Sequence, residues 1–172
     1  MIRRHWYRWF LVTAALVAAA ALRPVTVLEI ENAARGQKTT MALREGEPFS
    51  VTSQHSMYDR PVTEEFVVEP DLDIALTSVS SPSAAVREYL GLSGPGERQE
   101  MEREMKEIVF RVAAGTPQRL LLRGSDRSFL ELGDHGDRLV MRANREPAAL
   151  HWIDWFRACL HRSSPDARRL RS

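Results

Sequence analysis

The chain reads as a mainly β protein: an antiparallel sheet or small sandwich or barrel with a few covering helices, behind an N-terminal membrane segment. Three observations carry this. Apolar and polar residues alternate through most of the stretch from Val25 to Val79. Gly, Pro and Ser clusters interrupt that stretch every few residues. The first 24 residues have a composition of their own, a basic start (Arg3, Arg4, Arg8) followed by the apolar run Trp9 to Leu22. At 172 residues and 44% hydrophobic, the chain suffices for one core. The organisation expected is a signal anchor or signal peptide over 1–24, a mainly β domain over 25–147, and an amphipathic helix with a basic tail over 148–172.

The N-terminal segment has the order of a targeting sequence. Its apolar run reaches roughly 21 Å as a helix, short of the ~30 Å hydrocarbon core. That length suits a cleavable signal, and Ala18 to Ala21 offer small residues for cleavage. Trp6, Tyr7 and Trp9 instead suit an anchor whose aromatic rings lie at the membrane interface. Arginines ahead of the apolar run place the N-terminus in the cytoplasm and the remainder beyond a bacterial inner membrane, on the periplasmic side. Cys159 is the only cysteine. It has no intramolecular disulfide partner, and on a helical face it reads as packing.

After Pro24 the alternation predicts five strands: one through Val25, Val27, Leu28 and Ile30, one at Met41 and Leu43, one at Phe49 and Val51, then Val62 to Glu69 and Leu72 to Val79. Short connections make an antiparallel arrangement natural. Pro82 to Leu90 predicts a short helix closed by Gly91. Glu97 to Lys106 is charged and helix-favouring, and Met101, Met105, Ile108 and Val112 form a stripe, which predicts a covering helix. Ile108 to Val112 and Leu120 to Leu122 read as strands. Phe129 to Leu132 reads as a strand joined to Leu139 to Met141 through the turn Gly133-Asp134-His135-Gly136-Asp137. Ala148 to Leu160 predicts an amphipathic helix with His151, Asp154, Arg157 and His161 on its polar face. All four tryptophans lie at the chain ends, Trp6 and Trp9 at one and Trp152 and Trp155 at the other, and this placement suggests contact with a membrane–water interface.

Chemistry concentrates between Ser50 and Pro70. Tyr58-Asp59-Arg60-Pro61 has turn-forming character, and a four-residue loop there pairs Met57 with Val62, Ser53 with Phe66 and His55 with Glu64. A one-residue slip would turn Val62, Phe66 and Val68 away from the face holding Phe49 and Val51. His55 and Glu64 are therefore expected side by side on the core face, with Ser53 and Ser56 near enough to complete a polar group. Such a pair serves as a structural strut, as a ligand-binding group, or as a base with its orienting carboxylate. No G-x-S-x-G, H-E-x-x-H or C-x-x-C accompanies it, so no catalytic residue is assigned and no metal or cofactor is expected. His135 is a distant metal candidate and reads more simply as a turn residue. With 24 basic and 23 acidic residues, no broad positive field favours nucleic acid as a partner.

The same stretch, Phe49-x-Val51, His55-Ser56, Pro61-Val62, Glu64 and Phe66, resembles the signature of a small bacterial family, domain of unknown function 1850, over roughly Val27 to Met141. Ser53 stands where that family usually has an aromatic, and Thr77 to Ser83 where it usually has a Gly-rich stretch. The resemblance implies an accessory envelope protein of a TAXI-class TRAP uptake system, partnered with a transporter permease or solute-receptor subunit, and marks His55, Ser56, Pro61 and Glu64. Two other readings stand beside it: a small hydrolase or metal-dependent enzyme using His55 and Glu64, and an envelope structural protein held at the membrane at both ends.

Overall fold

A computed structural model describes residues 3–92, 94 and 96–151, of which residues 3–8 are described by their backbone alone. It separates into two units, Thr26–Asn144 and the two chain ends up to Val25 and from Arg145. The larger unit is mainly β and holds two antiparallel sheets. Four strands, β1 (Pro24–Asn32), β2 (Gln37–Ala42), β7 (Ile108–Arg111) and β10 (Arg138–Pro147), form one sheet in the order β2-β1-β10-β7. The other has six, in the order β6-β5-β4-β3-β8-β9: β3 (Pro48–His55), β4 (Arg60–Val68), β5 (Ile74–Ser80), β6 (Arg98–Met105), β8 (Arg119–Leu122) and β9 (Ser125–Ser128).

The foreseen alternation buries one face of β3 and β4, whereas β1 and β5 are buried at consecutive positions. Leu28 and Ile30 from β1, Leu139 and Met141 from β10, and Phe49, Val51, Phe66, Ile74 and Leu120 from the larger sheet join one apolar cluster. On the smaller sheet, Glu29 on β1 is largely buried and paired with Lys38 of β2 at 2.9 Å. Arg142 of β10 bridges Glu31 at 3.1 Å and Glu107 at 2.7 Å. These alternating charges let buried or half-buried carboxylates sit on a sheet without an unpaired charge.

α2 (Ala84–Tyr89) matches the expected short helix: Ser83 caps its N-terminus, Val86 is fully buried, and Gly91 follows in the left-handed region that glycine tolerates. Two other expectations fail. The segment foreseen as a covering helix over Glu97 to Lys106 is β6, an edge strand paired with β5. Met101 and Met105 do pack on the core, but their spacing of four satisfies a period of two as well as a helical stripe. The open edge of β5 supplied a ladder that outweighed helix propensity. Charged residues along β6 then protect the new sheet edge. Phe129 to Leu132 is likewise no strand. Phe129–Glu131 form a 3-10 turn started by a Ser128/Glu131 capping box, with Phe129 buried. Leu139 to Met141 pair instead with β7.

The N-terminal segment is a helix, α1 (Arg3–Leu22). Among the described residues, no helix is long and apolar enough to cross a membrane, so the expected membrane segment has no support as a span. From Trp9 to Ala20 every residue of α1 is exposed. The foreseen C-terminal helix begins at Ala148, where its amide donates to the Arg23 carbonyl at 2.9 Å. The remainder, with Trp152, Trp155 and Cys159, lies outside the described residues, as does the side chain of Trp6.

Candidate functional site

The β3–β4 hairpin turns two residues earlier than its sequence suggests. The loop is Ser56-Met57-Tyr58-Asp59, and His55 pairs with Arg60, Ser53 with Val62, Val51 with Glu64, and Phe49 with Phe66. Local bonds explain this loop. The amide of Asp59 donates to the carbonyl of His55 at 2.8 Å, Asp59 adopts a φ of 51°, and its carboxylate accepts from the side chain of Gln54. Aspartate tolerates that left-handed conformation better than most residues.

His55 and Glu64 do share the core face, as the alternation required, but they are not neighbours. They stand four pairing positions apart along the hairpin, about 13 Å at the rise of a strand. This corrects the expected side-by-side pair. A loop displaced by two residues changes every partner by four, and an even shift keeps each side chain on its original face. Hydrophobic patterning therefore has no means of detecting it. The deciding contact is between rings: Phe49 and Phe66 stack with centroids 5.2 Å apart and planes at 21°, both 2% exposed. The expected register sets Phe66 against Ser53 and forfeits that stack.

Glu64 lies between Val51 of β3 and Val79 of β5. Burial pushes its carboxyl above the ordinary carboxylate range. Among the described residues it has no ion pair or hydrogen-bonded partner. Ser53 sits one diagonal step away, on the same face. His55 belongs to a different group at the hairpin tip. Its ring packs edge-on to Tyr89 of α2 at 4.8 Å and against Tyr58 at 5.3 Å, and its Nδ1 accepts from the Met57 amide at 3.3 Å. That bond requires the tautomer protonated at Nε2. Ser56 is exposed in the loop.

Pro61 lies on β4 beyond the rungs shared with β5, so its missing N–H breaks no ladder there. Its carbonyl accepts from the hydroxyl of Ser81 at 2.8 Å. Ser81 is 1% exposed, and its own carbonyl accepts from Arg87 at 2.9 Å. This serine ties the hairpin to α2, although in sequence it looked like one more loop residue. Tyr89 also escaped notice, because nothing in the order of residues brings α2 to the hairpin tip.

The arrangement supplies no dyad, since the imidazole and the carboxyl are too far apart for one to orient the other. Among the described residues no three His, Cys, Asp or Glu side chains converge in a way that would hold a metal ion. His135 is exposed in its turn. The chemistry available at the hairpin tip is that of contact: aromatic faces, an imidazole N–H, and the exposed Arg60 opposite His55. No family model matches the chain, and neither the curated proteins nor the solved structures provide a match.

Proposed function

We propose that this protein is a binding module held at a lipid bilayer by α1, with its β domain acting through contact rather than catalysis. One observation carries the reading. A helix that is apolar all round belongs in a protein core or in lipid, and α1 is exposed from Trp9 to Ala20, with Leu11 at 65% and Leu16 at 66%. Attachment requires less length than a span. The apolar turns from Trp9 onward enter the acyl region, and the basic start of the sequence favours anionic headgroups. The arginine bias favours the periplasmic face of an inner membrane for the β domain. The finer reading, an accessory to a TAXI-class TRAP uptake system that contacts its permease or solute-receptor subunit, rests on the sequence resemblance between Phe49 and Phe66.

The test is fractionation of the full chain with lipid vesicles, in wild type and in a Leu11→Asp, Leu16→Asp double variant. Wild type should float with the vesicles and the variant should remain in solution, with the thermal unfolding of the β domain unchanged. Wild-type protein that stays in solution would remove the proposal. Co-purification of a permease or receptor subunit from detergent extracts tests the finer reading separately.

A further inference from the structure

The solvent face of the larger sheet carries a feature that the membrane reading does not use. An open cavity of about 240 Å³ lies over Ser50, lined also by Pro48, Glu65, Leu121, Arg123 and Gly124. Strand pairing explains how it forms. Ser50 of β3 sits in one row between Leu121 of β8 and Glu65 of β4, and its small side chain leaves a gap between two larger ones. The β8–β9 turn brings Arg123 and Gly124 to one end.

Both charged groups are fixed from outside the cavity. Glu65 accepts from Ser78 at 3.0 Å and from Arg98 at 2.8 Å, and both bonds go to Oε2, so Oε1 takes no part in them. Arg123 meets Glu47 through Nε at 3.2 Å, which leaves its terminal nitrogens out of that pair. Each charged group is thus positioned while keeping unused hydrogen-bonding capacity. The local charge also balances, with Glu65 against Arg98 and Arg123 against Glu47. A purely anionic ligand would meet the like charge of Glu65, and a purely cationic one that of Arg123, whereas a ligand with no net charge keeps the balance. Pro48 and Leu121, the latter 47% exposed, supply the apolar part of the lining. Arg123 itself sits at a φ of +52°, followed by Gly124 at +75°. Two-residue hairpin turns of this kind favour Asn, Asp or Gly at the first position, so conformational ease does not account for an arginine there.

We propose that this cavity binds a small zwitterion with an apolar side chain, a free α-amino acid, its ammonium on Glu65, its carboxylate on Arg123 and its side chain on Pro48 and Leu121. The site is independent of lipid attachment and of the His55 end of the hairpin. The experiment is calorimetric titration of the full chain in detergent with leucine, with leucinamide, which lacks the carboxylate, and with N-acetyl-leucine, which lacks the ammonium. Leucine should bind one to one, and each single-charge analogue should bind at least about tenfold more weakly, since each forfeits a charge-assisted contact. Glu65→Gln and Arg123→Gln should each weaken leucine binding by a similar factor. Arg123 lies on an exposed turn, so its variant keeps the wild-type unfolding temperature and separates lost binding from lost folding. Absence of leucine binding at millimolar concentration, equal binding of the three compounds, or unchanged affinity in the Arg123→Gln variant would overturn the proposal.

Discussion

The Phe49–Phe66 stack fixes the register of the central hairpin, and a double-mutant cycle measures it. Both rings are 2% exposed, with centroids 5.2 Å apart and planes at 21°. Truncating a buried Phe to Ala costs about 3–5 kcal/mol. Leucine, which refills much of the space, should cost about 1–2 kcal/mol at either position. Beyond the area each ring buries, stacked aromatic pairs add about 0.5–1.5 kcal/mol. Phe49→Leu and Phe66→Leu should therefore be non-additive by about 1 kcal/mol, the double variant losing less than the sum. Urea unfolding followed by circular dichroism is the assay. All four tryptophans lie outside Thr26–Asn144, so their fluorescence is a poor probe of this unit. In the register with His55 opposite Glu64, the two rings stand four positions apart and have nothing to couple. Additivity within about 0.3 kcal/mol would therefore refute the stack and, with it, the observed pairing.

Two further outcomes follow from single residues. Burial raises the carboxyl pKa of Glu64 in the folded state, so the folded chain binds its proton more tightly than the unfolded one. The resulting stability is fully present below the unfolded value of about 4.3 and is lost as pH rises through the folded pKa. Glu64→Gln should therefore gain on wild type from about pH 4 upward until the folded pKa is passed and hold level above it in thermal denaturation, and a difference that stays flat throughout would count against the burial. At Gly133, an added Cβ would stand 2.7 Å from Nδ2 of Asn32 and 3.2 Å from Asp137. Asn32 is 1% exposed and donates to Asp137 at 2.7 Å, so it has little freedom to move. Gly133→Ala should cost about 1–3 kcal/mol in urea unfolding, and less in an Asn32→Ala background, where the obstructing amide is gone.

Sequence by itself determined which side chains face the core. The period of two through Phe49, Val51, Val62, Phe66 and Val68 is a local consequence of the pleat, and burial of one face enforces it without reference to any partner strand. It placed His55, Ser53 and Glu64 on one face correctly for the same reason. Pro82 to Gly91 was legible because a proline at a helix start and a glycine just past its end are also local devices; the Ser83 cap was supplied by the structure. Only the tertiary structure decided what each residue meets. An even displacement in register leaves every face unchanged, so the separation of His55 from Glu64 depended on the Phe49–Phe66 contact and on where Asp59 could close the loop. The identity of β6 depended on an edge offered by β5, from the far side of α2 in the chain. The cavity beside Glu65 depended on a hairpin that delivers Arg123 across two strands. Face is a property of a segment, whereas neighbourhood is a property of the assembled sheets, and the candidate sites of this protein are made of neighbourhood.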